Sequence, residues 1–158
     1  MATYYYRTEQ LLPIDANKAW DFFSSAENLT LITPPSMDFK ILTPLGHTEI
    51  YEGMLLDYTV KPLWGLRFNW KTEICKVGKP LFFTDRQLKG PYKLWEHTHT
   101  FIKKDSGLLI KDEVKYQLPF GIIGSIIHFL VVRKKIRDIF IYRKNILQQL
   151  FESDGSSN

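Results

Sequence analysis

Polar and apolar positions along this chain follow three rhythms in turn. Thr3 to Leu12, rich in Tyr and Thr, predicts a first strand closed by Pro13. Asp15 is placed to cap a short helix over Ala16 to Ser24, with Ala19, Trp20, Phe22 and Phe23 on its apolar side. Asn28 to Thr33 predicts a second short helix, ended by Pro34-Pro35. From Asp38 the period changes to two. Phe39 to Leu42, Ile50 to Leu63 and Leu66 to Lys76 alternate as strands do. Met54, Leu56, Tyr58 and Val60 share one face of the second of these, and Phe68, Trp70, Thr72 and Ile74 one face of the third. Trp64-Gly65 and Gly78-Lys79-Pro80 read as turns. The alternation continues around Asp85, His97 and Asp112, linked by Gly90-Pro91 and by Lys104-Asp105-Ser106-Gly107. Links this short between long strands imply an antiparallel meander.

After Pro119 the rhythm becomes helical. A long helix is predicted from Ser125, with a stripe of Phe129, Val132, Ile136, Ile139, Phe140, Arg143, Ile146, Leu147 and Leu150. The apolar run Phe120 to Val132 is shorter than the roughly 20 residues a membrane-spanning helix needs. The expected architecture is α+β: a curved antiparallel sheet of about seven strands, two short helices after the first strand, and one long C-terminal helix across the sheet. Curvature leaves a space between sheet and helix. One domain is expected over 1–152, with 153–158 as a flexible tail. Pro119, Gly121 and Gly124 predict either a movable lip over the cavity mouth, from Phe120 to Phe129, or a fixed helix start that needs Gly for close packing.

Composition narrows the class. The 158 residues suit one domain with a proper core, and 44% hydrophobic with 24% charged residues is ordinary for a folded chain. The 15% aromatic content exceeds what a core of this size needs and favours a ring-lined pocket. A lone Cys75 excludes an internal disulfide and, with no basic or apolar leader at Met1-Ala2-Thr3, leads us to expect a cytoplasmic location. The net charge of +4 is too mild to predict a nucleic-acid partner. Its local concentration at Arg133, Lys134, Lys135 and Arg137 reads as a solvated helix face, or as attraction to RNA or weak peripheral contact with an anionic membrane. His47 falls in a polar loop and is expected to be solvated.

The candidate chemistry lies in Trp95-x-His97-x-His99-x-Phe101, four rings on one face of a strand. Phe83-x-Asp85-x-Gln87 upstream and Ile110-x-Asp112-x-Val114-x-Tyr116-x-Leu118 downstream alternate in the same way, so Asp85, Gln87, His97, His99 and Asp112 can converge on one concave surface. Two His and one carboxylate can bind a metal. The same groups can instead form a hydrogen-bonded network or touch a ligand directly. The network is the expected arrangement, with no metal and no cofactor. A His beside a carboxylate can also transfer protons, which makes His97, His99, Asp85 and Asp112 the catalytic candidates. No nucleophile motif or glycine-rich phosphate loop accompanies them.

These stretches, with Leu31-Ile32-Thr33-Pro34-Pro35, Gly53 through Tyr58, Trp70-x-x-x-Ile74, Gly90-Pro91-Tyr92, Leu118-Pro119-Phe120-Gly121 and Phe140-x-Tyr142-Arg143, resemble the helix-grip superfamily. That superfamily includes birch-pollen-allergen-like proteins, lipid-transfer START domains and polyketide cyclase/dehydrase-like proteins. The similarity extends from about Tyr5 to Leu150 and is closer to a bacterial ligand-binding subgroup sometimes labelled cell-division-inhibitor-like. The resemblance implies the fold and leaves the chemistry open, since this fold hosts carriers and enzymes alike.

The leading expectation is binding or transport of a hydrophobic small molecule, such as a lipid, a quinone or a polyketide-like compound, rather than catalysis. Met54, Tyr58, Phe68, Trp70, Gln87, Trp95, His97, His99, Phe101, Tyr116 and Phe129 are the expected ligand-binding residues. The alternatives are a cyclase- or dehydratase-like enzyme using the His-carboxylate pair, and an interaction module docking through the basic helix face. The sequence leaves the oligomeric state open.

Overall fold

A computed structural model of the chain describes residues 2–44, 48–63 and 65–152. The expectations for His47, for Trp64 and for the tail 153–158 lie outside the described residues. Among the described residues seven strands form one antiparallel sheet: β1 (Tyr4–Leu12), β2 (Lys40–Ile41), β3 (Leu55–Leu63), β4 (Leu66–Gly78), β5 (Phe82–Lys89), β6 (Leu94–Lys104) and β7 (Gly107–Gln117). Their order is β1-β7-β6-β5-β4-β3-β2, so the meander from β2 to β7 is completed by the first strand returning to its far edge. Register shifts between Val60 and Leu63, Lys71 and Thr72, and Ile74 and Lys76 interrupt the ladders. Such irregularities increase twist and bend the sheet.

Helix α1 (Ala16–Phe23) begins where the sequence predicts it, with the Asp15 carboxylate accepting from the Lys18 N–H at 2.8 Å. Its Trp20 is fully buried and meets Phe83 edge-on at 6.0 Å. The second short helix, expected over Asn28 to Thr33, is instead two 3-10 turns, Ala26–Leu29 and Pro35–Met37. Pro34-Pro35 denies the backbone N–H groups a longer helix would use. β3 starts five residues later than the alternation suggests, because Gly53 takes φ +91° in a turn.

The C-terminal helical segment covers 121–152 as α2 (Gly121–Ile127), a π-helical turn (His128–Val132) and α3 (Arg133–Glu152). It begins earlier than Ser125, at Gly121 with φ +53°, following Phe120 at φ +69°. A methyl group on Gly124 would stand 2.2 Å from the Pro119 carbonyl oxygen, so glycine is there for close packing. The buried stripe is His128, Val132, Ile136, Phe140, Arg143, Leu147 and Phe151. Phe129 and Leu150, expected on it, are exposed. The cause is the π turn: its wider winding advances the buried face by about one residue relative to an unbroken α-helix, putting His128 inward in place of Phe129. The stripe packs on two clusters of the sheet's concave face. Leu147 and Phe151 join Leu12, Phe83, Phe101 and Ile110, while Val132, Ile136 and Phe140 join Val114, Tyr116 and Leu118.

Candidate functional site

Strand pairing builds the site between those clusters. Asp85 on β5 faces His97 on β6 across the ladder, and His99 faces Asp112 on β7. Period-two alternation turns all four side chains to the concave side, where Arg143 of α3 reaches down to them. His97 Nε2 lies 2.9 Å from Asp112 Oδ1, and His99 Nδ1 lies 2.9 Å from the same oxygen. The first contact is a hydrogen bond, while the second is close but off the hydrogen-bond line. Arg143 Nη1 stands 3.6 Å from Asp112 Oδ1. On the cavity side, Asp85 Oδ2 is 3.7 Å from His97 Nδ1 and 3.9 Å from His99 Nε2, beyond hydrogen bonding. Apolar rings hold the imidazoles: His99 stacks on Phe83 at 4.3 Å and His97 meets the edge of Phe140 at 5.4 Å.

Burial sets the charges. It pushes the Asp85 carboxyl up to about 6, against the pull of His99 and Arg143. It pushes His97 down to about 3, helped by His99, so that this imidazole is neutral at pH 7. Burial also raises Asp112, but His97 and His99 outweigh it and hold that carboxyl well below the usual carboxylate range. Burial lowers Arg143 as well, opposed by Asp112 and Asp85, and a guanidinium remains a cation in proteins. At neutral pH two carboxylates therefore share one guanidinium. Residue type alone suggests a proton-transfer role for His97, with a carboxylate to orient it. Burial inverts that pairing, because Asp85 titrates near neutrality and His97 does not.

The cluster forms the floor of a cavity of about 170 Å³ between sheet and helix. Of the expected ligand-binding residues, Tyr58, Trp70, Trp95, His97 and His99 line it, and Asp85 joins them. Tyr58 stacks with Trp70 at 5.8 Å, and Trp95 stands edge-on to Trp70 at 5.4 Å, giving one end an aromatic wall. Ile136, Ile139, Phe140 and Arg143 face it from α3.

The remaining expected residues sit elsewhere. Met54 and Phe101 are packed into the first core cluster and Tyr116 into the second. Phe68 is half-buried away from the cavity. The Gln87 amide closes the β5–β6 turn, donating to the Tyr92 carbonyl at 2.6 Å and accepting from the Tyr92 N–H at 3.3 Å. Phe129 is exposed on a different face, and no residue of 120–129 lines the cavity, which removes the basis for a lip there.

Two features of the structure lie outside the sequence expectations. Buried His128 hydrogen-bonds the Tyr116 hydroxyl at 2.8 Å and stacks on Tyr4 at 3.5 Å. Its spacing of four from Val132 and eight from Ile136 is the available signal. Four buried nitrogens around the cluster also have no hydrogen-bond partner: Arg143 Nε, Arg143 Nη1, Trp70 Nε1 and His99 Nδ1.

This arrangement of sheet and C-terminal helix recurs in solved structures. A START superfamily protein from Mycobacterium smegmatis aligns over 96% of this chain and 97% of its own, with TM-score 0.67 and 12% identity. The chain has the helix-grip fold. A point mutant of norcoclaurine synthase from Thalictrum, solved with a transition-state analogue, aligns over 98% of both chains with TM-score 0.69 and 16% identity. The protein TTHA0849 from Thermus thermophilus aligns over 97% of this chain and 100% of its own, with TM-score 0.67 and 16% identity. No protein-family model and no curated protein matches the sequence. Helix-grip proteins thus share this architecture at identities too low to carry chemistry from one to another.

Proposed function

We propose that this helix-grip protein binds a compact apolar molecule bearing an oxygen acceptor, with its ring system against Tyr58, Trp70 and Trp95 and its oxygen turned to Arg143 and Trp70 Nε1. The observation that carries this reading is the set of unpaired N–H donors on Arg143 and Trp70 around a mainly apolar cavity. A buried donor without a partner costs about 1–3 kcal/mol, which a ligand oxygen would offset. Size narrows the class. Drug-sized ligands occupy pockets of roughly 300–1,000 Å³, whereas a cavity of about 150 Å³ suits benzene. At about 170 Å³ this one favours a ring compound of quinone or polyketide type over a long-chain lipid. Displacement of an apolar fluorophore tests it, with naphthalene, 1,4-naphthoquinone and palmitate as competitors. The expected order is naphthoquinone first, naphthalene second and palmitate last, with the naphthoquinone preference lost in Arg143→Met. Failure to bind any of the three, or equal binding of naphthalene and naphthoquinone, overturns the reading.

A second reading concerns where the ligand is met. Phe120, Ile122, Ile123, Ile126, Phe129 and Leu130 are between 55% and 82% exposed. A contiguous apolar patch of this kind on a protein surface marks an interaction site. Phe129 and Leu130 share a groove with Arg133, Lys134 and Arg137, and this adjacent positive charge selects an anionic lipid surface as the occupant. Among the described residues no helix is long and apolar enough to cross a membrane, so the contact would be peripheral. Co-sedimentation with phosphatidylcholine vesicles, with and without phosphatidylserine, tests it. Binding only to the anionic vesicles is expected, and equal or no binding to both removes the reading.

A further inference from the structure

The geometry points to a site for one divalent transition-metal ion on the cavity floor, held by Asp85 Oδ2, His97 Nδ1 and His99 Nε2. One donor atom from each residue lies within 4.8 Å of the other two. Ligand atoms on a tetrahedral zinc stand about 3.3 Å apart, given metal–ligand bonds of about 2.0–2.2 Å. The observed separations of 3.7 and 3.9 Å close to that value with small side-chain rotations.

Three further features suit a metal better than a self-contained polar network. Asp112 stands 2.9 Å from His97 Nε2 and 2.9 Å from His99 Nδ1. The hydrogen bond between His97 Nε2 and Asp112 favours the N–H on that nitrogen, which leaves the lone pair of His97 Nδ1 facing Asp85. A carboxylate behind the imidazoles is the arrangement that orients metal-bound histidines and raises their basicity. Second, a network that satisfied itself would pair Asp85 with an imidazole N–H, yet neither distance is a hydrogen bond. With the His97 lone pair so directed, ionised Asp85 sets a second electron-rich atom across a gap of 3.7 Å, which a cation between them would bridge. Third, charge agrees: two carboxylates face the single guanidinium of Arg143, which stands on the Asp112 side. Two imidazoles and one carboxylate suit zinc, iron(II), cobalt or nickel and not calcium or magnesium. The open coordination positions face the cavity, where water or the oxygen of a bound molecule would complete the sphere. The metal site is independent of the organic ligand, since the ion can be titrated alone.

Cobalt(II) titration of the full chain, stripped with EDTA and dialysed, is the direct test. One equivalent is expected, with the visible absorption of a four- or five-coordinate ion, and zinc should displace it. Asp112→Asn should weaken zinc binding by about 10–100-fold, the usual cost of losing an orienting partner. Asp85→Asn and His97→Gln should weaken it further, while His128→Gln leaves it unchanged. Where a His variant fails to fold, Asp85→Asn decides the matter, because it keeps the side-chain shape and removes a buried charge. Absence of one-equivalent binding in the wild type, or unchanged affinity in Asp85→Asn, overturns the inference. Metal binding without binding of the aromatic probes would sink the proposed ligand function and leave the metal site standing.

Discussion

The middle and the start of the C-terminal helical segment break the usual partition of residues in opposite senses. Near its middle, Arg143 is buried against Asp112 with Asp85, His97 and His99 close by. At its start, Phe120, Ile122, Ile123 and Phe129 stand in the open. The inner inversion survives because the charges have partners, and an ionised group moved out of water without one costs several kcal/mol. The outer inversion survives because exposing apolar surface gives up stabilisation without unfolding anything, at roughly 1.5–3 kcal/mol per large side chain not buried. The first region is tied to folding stability and the second is not, so a given change should be felt very differently in the two.

The largest effect is expected at Asp112. Its removal leaves Arg143 buried without its nearest counter-charge and His97 without its hydrogen-bond partner. Asp112→Ala should lose about 3–5 kcal/mol of unfolding free energy in urea, the range for breaking a buried pair. Ile122→Asp, at the start of the segment, should stay within about 0.5 kcal/mol of wild type. Equal losses in the two variants would erase the distinction.

Asp85 sharpens the comparison through pH. Its carboxyl is raised to about 6 in the folded chain, so between the ordinary carboxylate value and pH 6 the folded state holds a proton that the unfolded state has released. The Asp85 contribution is therefore most favourable below that window and is lost as pH rises through 6. In EDTA, Asp85→Asn should exceed wild type at pH 8 by up to about 3 kcal/mol, and the gap should close by pH 4. His97 acts in the opposite sense. Held down at about 3, it binds a proton more readily when unfolded, so its contribution is present above pH 6.5 and declines as pH falls toward 3. His97→Gln should flatten the acid limb of the wild-type stability profile. A variant that keeps the wild-type slope would show that His97 is not buried neutral.

How far these regions can be read from sequence follows from the local geometry. Short polar turns fix the β5–β6–β7 register, so alternation alone brings Asp85, His97, His99 and Asp112 to one face. Alternation carries no depth. Trp95, His97 and His99 line the cavity, while Phe101 on the same face enters the solid core. Helical spacing failed by one residue at Phe129, because a π turn has no signature in hydrophobic period and advances the phase locally. Gln87 has a ligand-like position and a turn-closing role, which only its bonds to Tyr92 reveal.

The outer region should respond in binding where it does not respond in stability. Replacing Phe129 with Ser removes a side chain worth roughly 2 kcal/mol on transfer out of water, or about 30-fold in partitioning to phosphatidylserine-containing vesicles. Ile122→Ser should act similarly, and Tyr5→Ser, whose exposed ring sits on β1, should act less. Loss of vesicle binding together with loss of fold in Phe129→Ser would contradict its exposure.

The smallest effect separates the cations beside that patch. Each Lys or Arg near an anionic leaflet contributes about 1 kcal/mol, roughly fivefold in binding. The cations do not start equal. Lys134 Nζ lies 2.8 Å from Asp138 Oδ2 and Arg137 Nε 3.6 Å from Asp138 Oδ1, so each must share its charge with a neighbouring carboxylate. Among the described residues Arg133 has no such ion pair, and it adjoins Phe129 and Leu130 in the same groove. Arg133→Ala should therefore weaken binding to anionic vesicles by the full fivefold, and Lys134→Ala or Arg137→Ala by less. Asp138→Asn, which releases both partners, should strengthen it. Raising salt from about 0.1 M to 1 M shortens the screening length from about 10 Å to 3 Å and should remove these differences. The residual binding at high salt would then measure the apolar patch alone. If the four variants bind alike at low salt, the basic face is only a solvated helix surface and the patch acts without it.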